Sequence, residues 1–392
     1  MKDKTKQMRM LLILVCIFWF GQYVYIPYQT TYLTEIGVSA DIIGIIIGAY
    51  GLVQIFFRIP VGIFADMGGE HKKIITLGIC CVGIASLIRV LFPNAAGFFA
   101  ANLFSGLGAS AWISYMVFYM GFYDKDNLQA ATGKVIAANN TGIFIGFAVS
   151  SIMYAQVGMR WICAFSMMAG IAGMFMCAGI HERKTERERV EKKELIKLFR
   201  HKRLLFFSLL ALLQQGVQMA TCMSFTIQAA KNLGIGQWQT GATSIIYIVF
   251  AVIFSYLSGN PFFTRIGHAK IVPAGLLIQA LYCGLVPNMG SVYGIYFCQI
   301  LAASAMGFLF TSLTSESMRG IPEKYYSTAM GIFQAVYAVG MTVFPVLAGS
   351  VENSLTEKAA FYFMAVCLMA GFGASIVFYR KKRDQVPAET GK

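Results

Sequence analysis

Charge is what this chain has least of. Only 13% of its 392 residues are Asp, Glu, Lys or Arg, against 57% hydrophobic residues and a mean hydropathy of +0.64. That balance excludes a soluble globular protein and places the chain among polytopic membrane proteins. Carboxylates are scarcest, 18 against 32 Lys and Arg. None falls at mid-depth in an apolar run: Asp66, Asp124 and Glu316 stand at one end of their segments, Glu35 and Asp41 at the other, and all four His lie in loops. Coupling to protons normally uses a titrating group within the pathway, and here no helix supplies one. Also missing are G-x-x-x-x-G-K-[ST], H-E-x-x-H and G-x-S-x-G. ATP-driven pumping and intramembrane hydrolysis therefore lack their parts, and the chain reads as a non-enzyme with no cofactor and no metal. Cys16, Cys80, Cys81, Cys163, Cys177, Cys222, Cys283, Cys298 and Cys367 lie in apolar spans without C-x-x-C or His spacing. They read as small core residues, not disulfides or metal ligands.

What is present is a series of about twelve apolar segments, from 9–33 to 358–380, each near the roughly 20 residues that a ~30 Å hydrocarbon core requires. The first follows the basic start Lys2 to Arg9 and runs through Tyr32 with no small-residue cleavage site, so it reads as a retained helix. With loops assigned between segments, 27 of the 32 Lys and Arg fall on one side, Arg160, Lys231 and Lys358 on the other, and Arg58 and Arg89 inside helices. The bias puts both termini in the cytosol of a multi-pass protein of the plasma membrane. It also disposes of nucleic acid as partner, because the net charge of +14 is spread over loops and not gathered on one face.

The one long connection, 181–203, carries ten Lys or Arg and five Glu near the middle of the chain. Two readings stay open for it: an interfacial amphipathic helix using Leu195, Ile196, Leu198 and Phe199, or a solvated basic linker. On either side, an offset of 197 residues lays Gly37, Gly44, Tyr50, Gly62, His71 and Lys73 on Gly234, Gly241, Tyr247, Gly259, His268 and Lys270, and an offset of 198 lays Gly133, Ala137 and Gly142 on Gly331, Ala335 and Gly340. The expected organisation is all-α, a six-helix bundle over 1–180, the linker, a pseudo-symmetric six-helix bundle over 204–380 and a cytosolic tail over 381–392. Such parallel repeats rock about a midplane site, and one chain holding both halves is complete as a monomer.

The stretch Arg58 to Lys73 reads R-I-P-V-G-I-F-A-D-M-G-G-E-H-K-K. A charge at the bilayer centre costs roughly 2.5–3.5 kcal/mol on insertion scales, so Arg58 needs a specific use. Positions 58, 62 and 66 share a helix face, and Gly62 lets another backbone approach there. G-x-x-x-D-x-G-x-x-x-K resembles the loop between helices 2 and 3 of the major facilitator superfamily, and the preceding R-x-P-x-G is common in its drug-exporter-like branch. The resemblance implies a twelve-helix transporter whose Asp and Gly dock against helix 11 and hold the cytosolic gate shut. Carried over, the gate residues are Arg58, Gly62, Asp66, Gly69 and Lys73, with Met67 standing where the family prefers Arg. Of the antiporter pattern in helix 5 only Gly142 and Gly146 survive, and helix 11 keeps Pro345 and Gly349 as packing residues.

Candidate substrate contacts come from polar stripes. Gln22, Tyr25, Gln29 and Tyr32 recur at helical spacing in the first segment, and Gln214, Gln218 and Thr221 do so in its repeat partner. Tyr115 joins them from an aromatic stripe that also reads as packing or an interfacial belt, and Asn139, next to Asn140, because hydrocarbon cannot satisfy its amide. Interhelical hydrogen bonding would place the same glutamines on a buried face, so packing and cavity readings both stand. Arg58 likewise reads as gate charge, as anchor for an anionic substrate, as a fixed pair with Asp124 or Glu316, or as snorkelling toward the cytosolic headgroups, while Arg89 near Pro93 is expected to snorkel outward. Function then reads as alternating-access transport of a small organic solute within the lipid bilayer, with a coupling proton or ion left open. Export of lipophilic or aromatic compounds comes first, uptake of a neutral sugar or nucleoside second, and a non-transporting sensor of the same fold third.

Overall fold

The computed structural model describes residues 2–68, 70–124, 127–182 and 192–384, and these are helices and short turns throughout. The first crossing is α1 (Lys2–Tyr23) and α2 (Ile26–Glu35), broken where Pro27 restarts the helix, followed by α3 (Ala40–Gly68) and α4 (His71–Leu91). A fourth crossing divides into α5 (Ala95–Ser110) and α6 (Trp112–Met120). Next comes α7 (Leu128–Ala178), 51 residues long, which at 1.5 Å per residue is far too long for one crossing. Gly158, at φ 72° and ψ 174°, breaks it into two.

The second half opens with the short α8 (Lys192–Leu198). Then α9 (Lys202–Ala220) and α10 (Thr226–Asn232) make one crossing through a π-helical turn, and α11 (Gln237–Ser258) returns. After α12 (Pro261–Ile266) and α13 (His268–Leu285), a second π-helical turn joins α14 (Val292–Ser304) to α15 (Thr311–Met318). The chain closes with α16 (Tyr326–Ser354) and α17 (Glu357–Asp384), the latter running past the boundary expected at 380. Among the described residues eleven helices are long and apolar enough to span a membrane, and counting α7 twice makes twelve crossings.

The internal repeat appears as matched contacts. Gly37 and Gly234 both take positive φ, at 82° and 69°, in the turns before α3 and α11. Gly142 of α7 packs on the Cys16 backbone of α1, and its repeat mate Gly340 of α16 packs on the Leu212 backbone of α9. A side chain at either glycine would overlap a carbonyl oxygen, so these positions set how closely the helices approach. Gly146 continues the first seam, with Val24 N 3.1 Å from where a Cβ would lie. Gly349 does not play the packing part expected of it, because nothing stands within 4 Å. Pro345 lies inside α16, half-buried.

The two chain ends define one side of the bundle, here the terminus side, and polar groups tie the helix ends there. Glu182 accepts the backbone N–H groups of His71 and Lys72, at 3.1 and 2.8 Å, and so caps α4. His201 Nδ1 accepts from Leu204 N–H at the start of α9, and burial together with Arg203 holds that imidazole below its usual range, which suits an acceptor. Glu316, buried on α15, binds Arg203, takes Arg319 at 3.3 Å and the Tyr379 hydroxyl at 3.2 Å, and lies 3.9 Å from His268. One carboxylate thus joins α9, α13, α15 and α17. Of the 181–203 connection, α8 is described from Lys192; its Leu195 and Leu198 are buried, while Ile196 and Phe199 are exposed.

Gly142→Val should cost about 1–3 kcal/mol, because the new methyls drive α1 from α7. Gly349→Val should leave the folded state untouched. Thermal unfolding in detergent checks the pair: the first variant melts lower than the parent, the second with it.

Candidate functional site

One face of α3 carries Gly44, Gly48, Gly51, Ile55, Arg58, Gly62 and Asp66 at three- and four-residue spacing, and from Gly51 to Asp66 it meets α16. At the terminus-side end the two helices touch. A Cβ on Gly62 would overlap the Ser327 carbonyl oxygen, and one on Gly331 would come within 2.7 Å of the Arg58 carbonyl oxygen. Further along, Gly51 has Thr342 Oγ1 at 3.7 Å as its one neighbour, and beyond it Gly48 and Gly44 meet nothing within 4 Å. The pair forms a V, closed toward the chain ends and open on the far side.

Asp66 locks the closed end. The residue preceding α16 is Tyr325, whose side chain makes no cap bond, so the first N–H groups of α16 need an acceptor from elsewhere. Asp66 of α3 supplies both of its oxygens, one to Ser327 N–H at 3.0 Å and the other to Thr328 N–H at 2.7 Å. A carboxylate on a helix N-terminus gains from the charge as well as the hydrogen bonds.

Arg58 works two turns deeper. It donates to the Gln334 carbonyl of α16 at 2.9 Å and to Gln54 Oε1 on its own helix, and its guanidinium lies 4.9 Å from the centre of the Tyr337 ring. It pairs with neither Asp124 nor Glu316: Asp124 is exposed and Glu316 is held by Arg203. Lys73 falls outside this lock, its side chain 75% exposed and paired with Glu70 at 2.7 Å. That corrects the expected five-residue gate; Gly69 lies outside the described residues.

The other seam between halves is α7 against α11. A Cβ on Gly133 would lie 2.6 Å from the Ser255 carbonyl oxygen, and one on Gly259, repeat mate of Gly62, 2.8 Å from Ala130 Cα. Asn140 donates to Ser255 Oγ at 3.4 Å, and Asn139 beside it is buried. Both terminus-side seams are closed, and Gly241 at the far end of α11 meets nothing.

The expected substrate residues do not converge. Gln22 donates to the Ser105 carbonyl at 2.9 Å, inside the first bundle. Tyr25 accepts from Arg89 at 2.9 Å and lies under its guanidinium at 3.8 Å from ring centre to Cζ. Arg89 does not snorkel: it is 1% exposed and also donates to Asn102 Oδ1 at 2.7 Å and Ser105 Oγ at 2.9 Å. Gln29 is buried with its Oε1 unpartnered, and Tyr115 packs against Phe18 and Trp112. In the second bundle Gln214 donates to Gln218 at 2.8 Å and accepts from Gln279 at its carbonyl at 3.0 Å. Missed from sequence were Gln54, Gln334 and the group of Tyr23, Tyr50 and Tyr337, whose phenols lie near Arg58 and near one another. Helical spacing offered a signal for Gln54 and Arg58, four residues apart.

A sequence profile described as Major Facilitator Superfamily matches residues 11–260 and 219–392. The inner membrane transport protein YajR of Escherichia coli is 23% identical over 352 residues, 87% of this chain and 76% of that protein. Multidrug resistance protein 2 of Bacillus subtilis is 20% identical over 375 residues, 92% of both chains. The human organic anion transporter MFSD10 superposes with a TM-score of 0.81 at 13% identity, over 95% of this chain and 99% of that one.

Asp66→Asn keeps the shape but leaves one amide N–H facing a backbone N–H. The closed arrangement should lose about 2 kcal/mol, a shift of roughly thirtyfold in the ratio of closed to open. Spin labels on the terminus-side ends of α3 and α16 should show a second, longer distance; an unchanged single distance contradicts the lock.

Proposed function

The chain belongs to the Major Facilitator Superfamily, and from that membership we propose a secondary transporter that moves a small organic solute by alternating access. It is held here closed on the terminus side and open on the far side. The observation that carries this is the V of α3 and α16: one continuous face in backbone contact at Gly62 and in open space at Gly48 and Gly44. A face with glycines toward both of its ends can close at either one, as alternating access requires. Asp66 and Arg58 act as the latch of the closed end, and the excess of Lys and Arg on that side supports a cytosolic position for that end and for both termini in a plasma-membrane protein.

Export of lipophilic, aromatic-bearing solutes is the first reading. It is supported by the phenols of Tyr23, Tyr50 and Tyr337 around Arg58 above the latch, and by the multidrug-resistance relative. A second reading, uptake of a neutral polar solute such as a sugar or nucleoside, rests on the second bundle. There Gln299 is buried with both amide atoms unpartnered, and the outer oxygens of Gln214 and Gln279 are equally unmet, a set of groups that sugar hydroxyls would satisfy.

Gly48→Leu should fold and bind but fail to close the far side, lowering transport by about tenfold or more. Uptake into inside-out vesicles checks it: accumulation of a lipophilic aromatic dye by the parent and its loss in the variant support export. Movement of labelled sugars or nucleosides alone moves the assignment to the second reading, and parent-like transport by Gly48→Leu removes the alternating V.

A further inference from the structure

A groove of about 790 Å³ runs along the outside of the second seam on the terminus side. Its walls come from both halves of the chain: Met8 and Leu12 of α1, Ala138 of α7, and Ile253 and Leu257 of α11. It opens sideways toward the membrane, where Ile253 is 43% and Tyr256 63% exposed. Two cations stand over this apolar trough, Arg9 on α1 and Lys134 on α7, and no carboxylate lines it.

Neither cation is neutralised by its neighbours. Arg9 is exposed and has no ion pair or side-chain hydrogen bond among the described residues. Lys134 donates to the Tyr123 hydroxyl at 3.1 Å and lies 5.5 Å from the centre of that ring, which leaves two of its three N–H donors unused. Arg9 precedes the first apolar run, and Lys134 lies six residues, about 9 Å, into α7. Both therefore lie near headgroup depth, with the apolar wall continuing inward beneath them.

We propose that this groove is a binding site for an anionic phospholipid, its phosphate held between Arg9 and Lys134 and an acyl chain lying along Leu12, Ile253 and Leu257. The choice of lipid follows from the pairing of an apolar floor open to the bilayer with uncompensated positive charge at its rim. A zwitterionic headgroup would bring an ammonium beside two cations and lose most of that attraction. The site depends on conformation as well. Lys134 adjoins Gly133, and Tyr256 and Leu257 lie between Ser255 and Ser258, the residues that Gly133 touches. The two walls face one another because α7 and α11 are closed here, so a lipid bridging them holds the terminus side shut. Such a ligand biases the equilibrium by its differential affinity for the two states.

The test is thermal unfolding of the purified full chain in detergent micelles, titrated with phosphatidylglycerol, phosphatidylcholine or sn-glycerol 3-phosphate. Phosphatidylglycerol should raise the melting temperature of the parent, and the other two should not. Each cation is worth a factor of about five in affinity, so Arg9→Gln with Lys134→Gln should need roughly 25-fold more lipid for the same shift. Arg9→Gln alone, at an exposed position, should need about fivefold more and decides the matter if the double variant purifies poorly. Lys73→Gln, an exposed cation remote from the groove, should respond as the parent does. An equal shift with phosphatidylcholine, a shift with the chainless phosphate, or a parent-like response of Arg9→Gln overturns the proposal.

Discussion

The arrangement of the two halves depends on a helix that cannot cap itself. Among the residues flanking the start of α16, Tyr325 offers no acceptor to the backbone, and within a membrane protein an unmet N–H near the hydrocarbon is costly. Asp66, from the other half, completes the turn. The bond is local in geometry and global in consequence: once Asp66 sits on Ser327 and Thr328, Gly62 must lie against the α16 backbone, Arg58 reaches the Gln334 carbonyl, and α3 and α16 can diverge only beyond Gly51. At this end the contacts that join α3 to α16 include a polar cap and two glycine approaches, which act over short distances.

The same economy governs the buried arginines. Arg58 and Arg89 lie inside the protein with neutral partners only, two glutamines and Tyr337 for one, Tyr25, Asn102 and Ser105 for the other. Dispersed over carbonyl, amide and phenol oxygens and aromatic faces, each charge is solvated without a carboxylate that would anchor it permanently. The second bundle makes the opposite choice. Glu316 is committed to Arg203 and Arg319 and fastens four helices at the terminus side.

Much of this was legible in the residues. The offset that pairs Gly62 with Gly259 and Gly142 with Gly340 predicts equivalent helix crossings, and each pair lies at one. The spacing of Arg58, Gly62 and Asp66 puts them on one contact face, as found. Less visible was the use of each polar side chain. Gln22 and Tyr25 carry the same pattern whether they face a cavity or a neighbouring helix, and only the position of Ser105 and Arg89 sends them inward. Lys73 matched a family position by spacing, yet an acid three residues away captured it at the surface.

Composition and periodicity by themselves determined the membrane class, the number of crossings, the duplicated plan and the helix face that makes the contact. Those properties follow from hydropathy and the 3.6-residue repeat, which are local. Which acceptor each buried donor found, and which end of the V is closed, came from tertiary structure alone. Asp66 and its partners stand 261 and 262 residues apart, Arg58 and Gln334 276. At such separations a hydrogen bond is chosen by how closely two helices approach, and that distance is a property of the whole packed bundle, not of any segment within it.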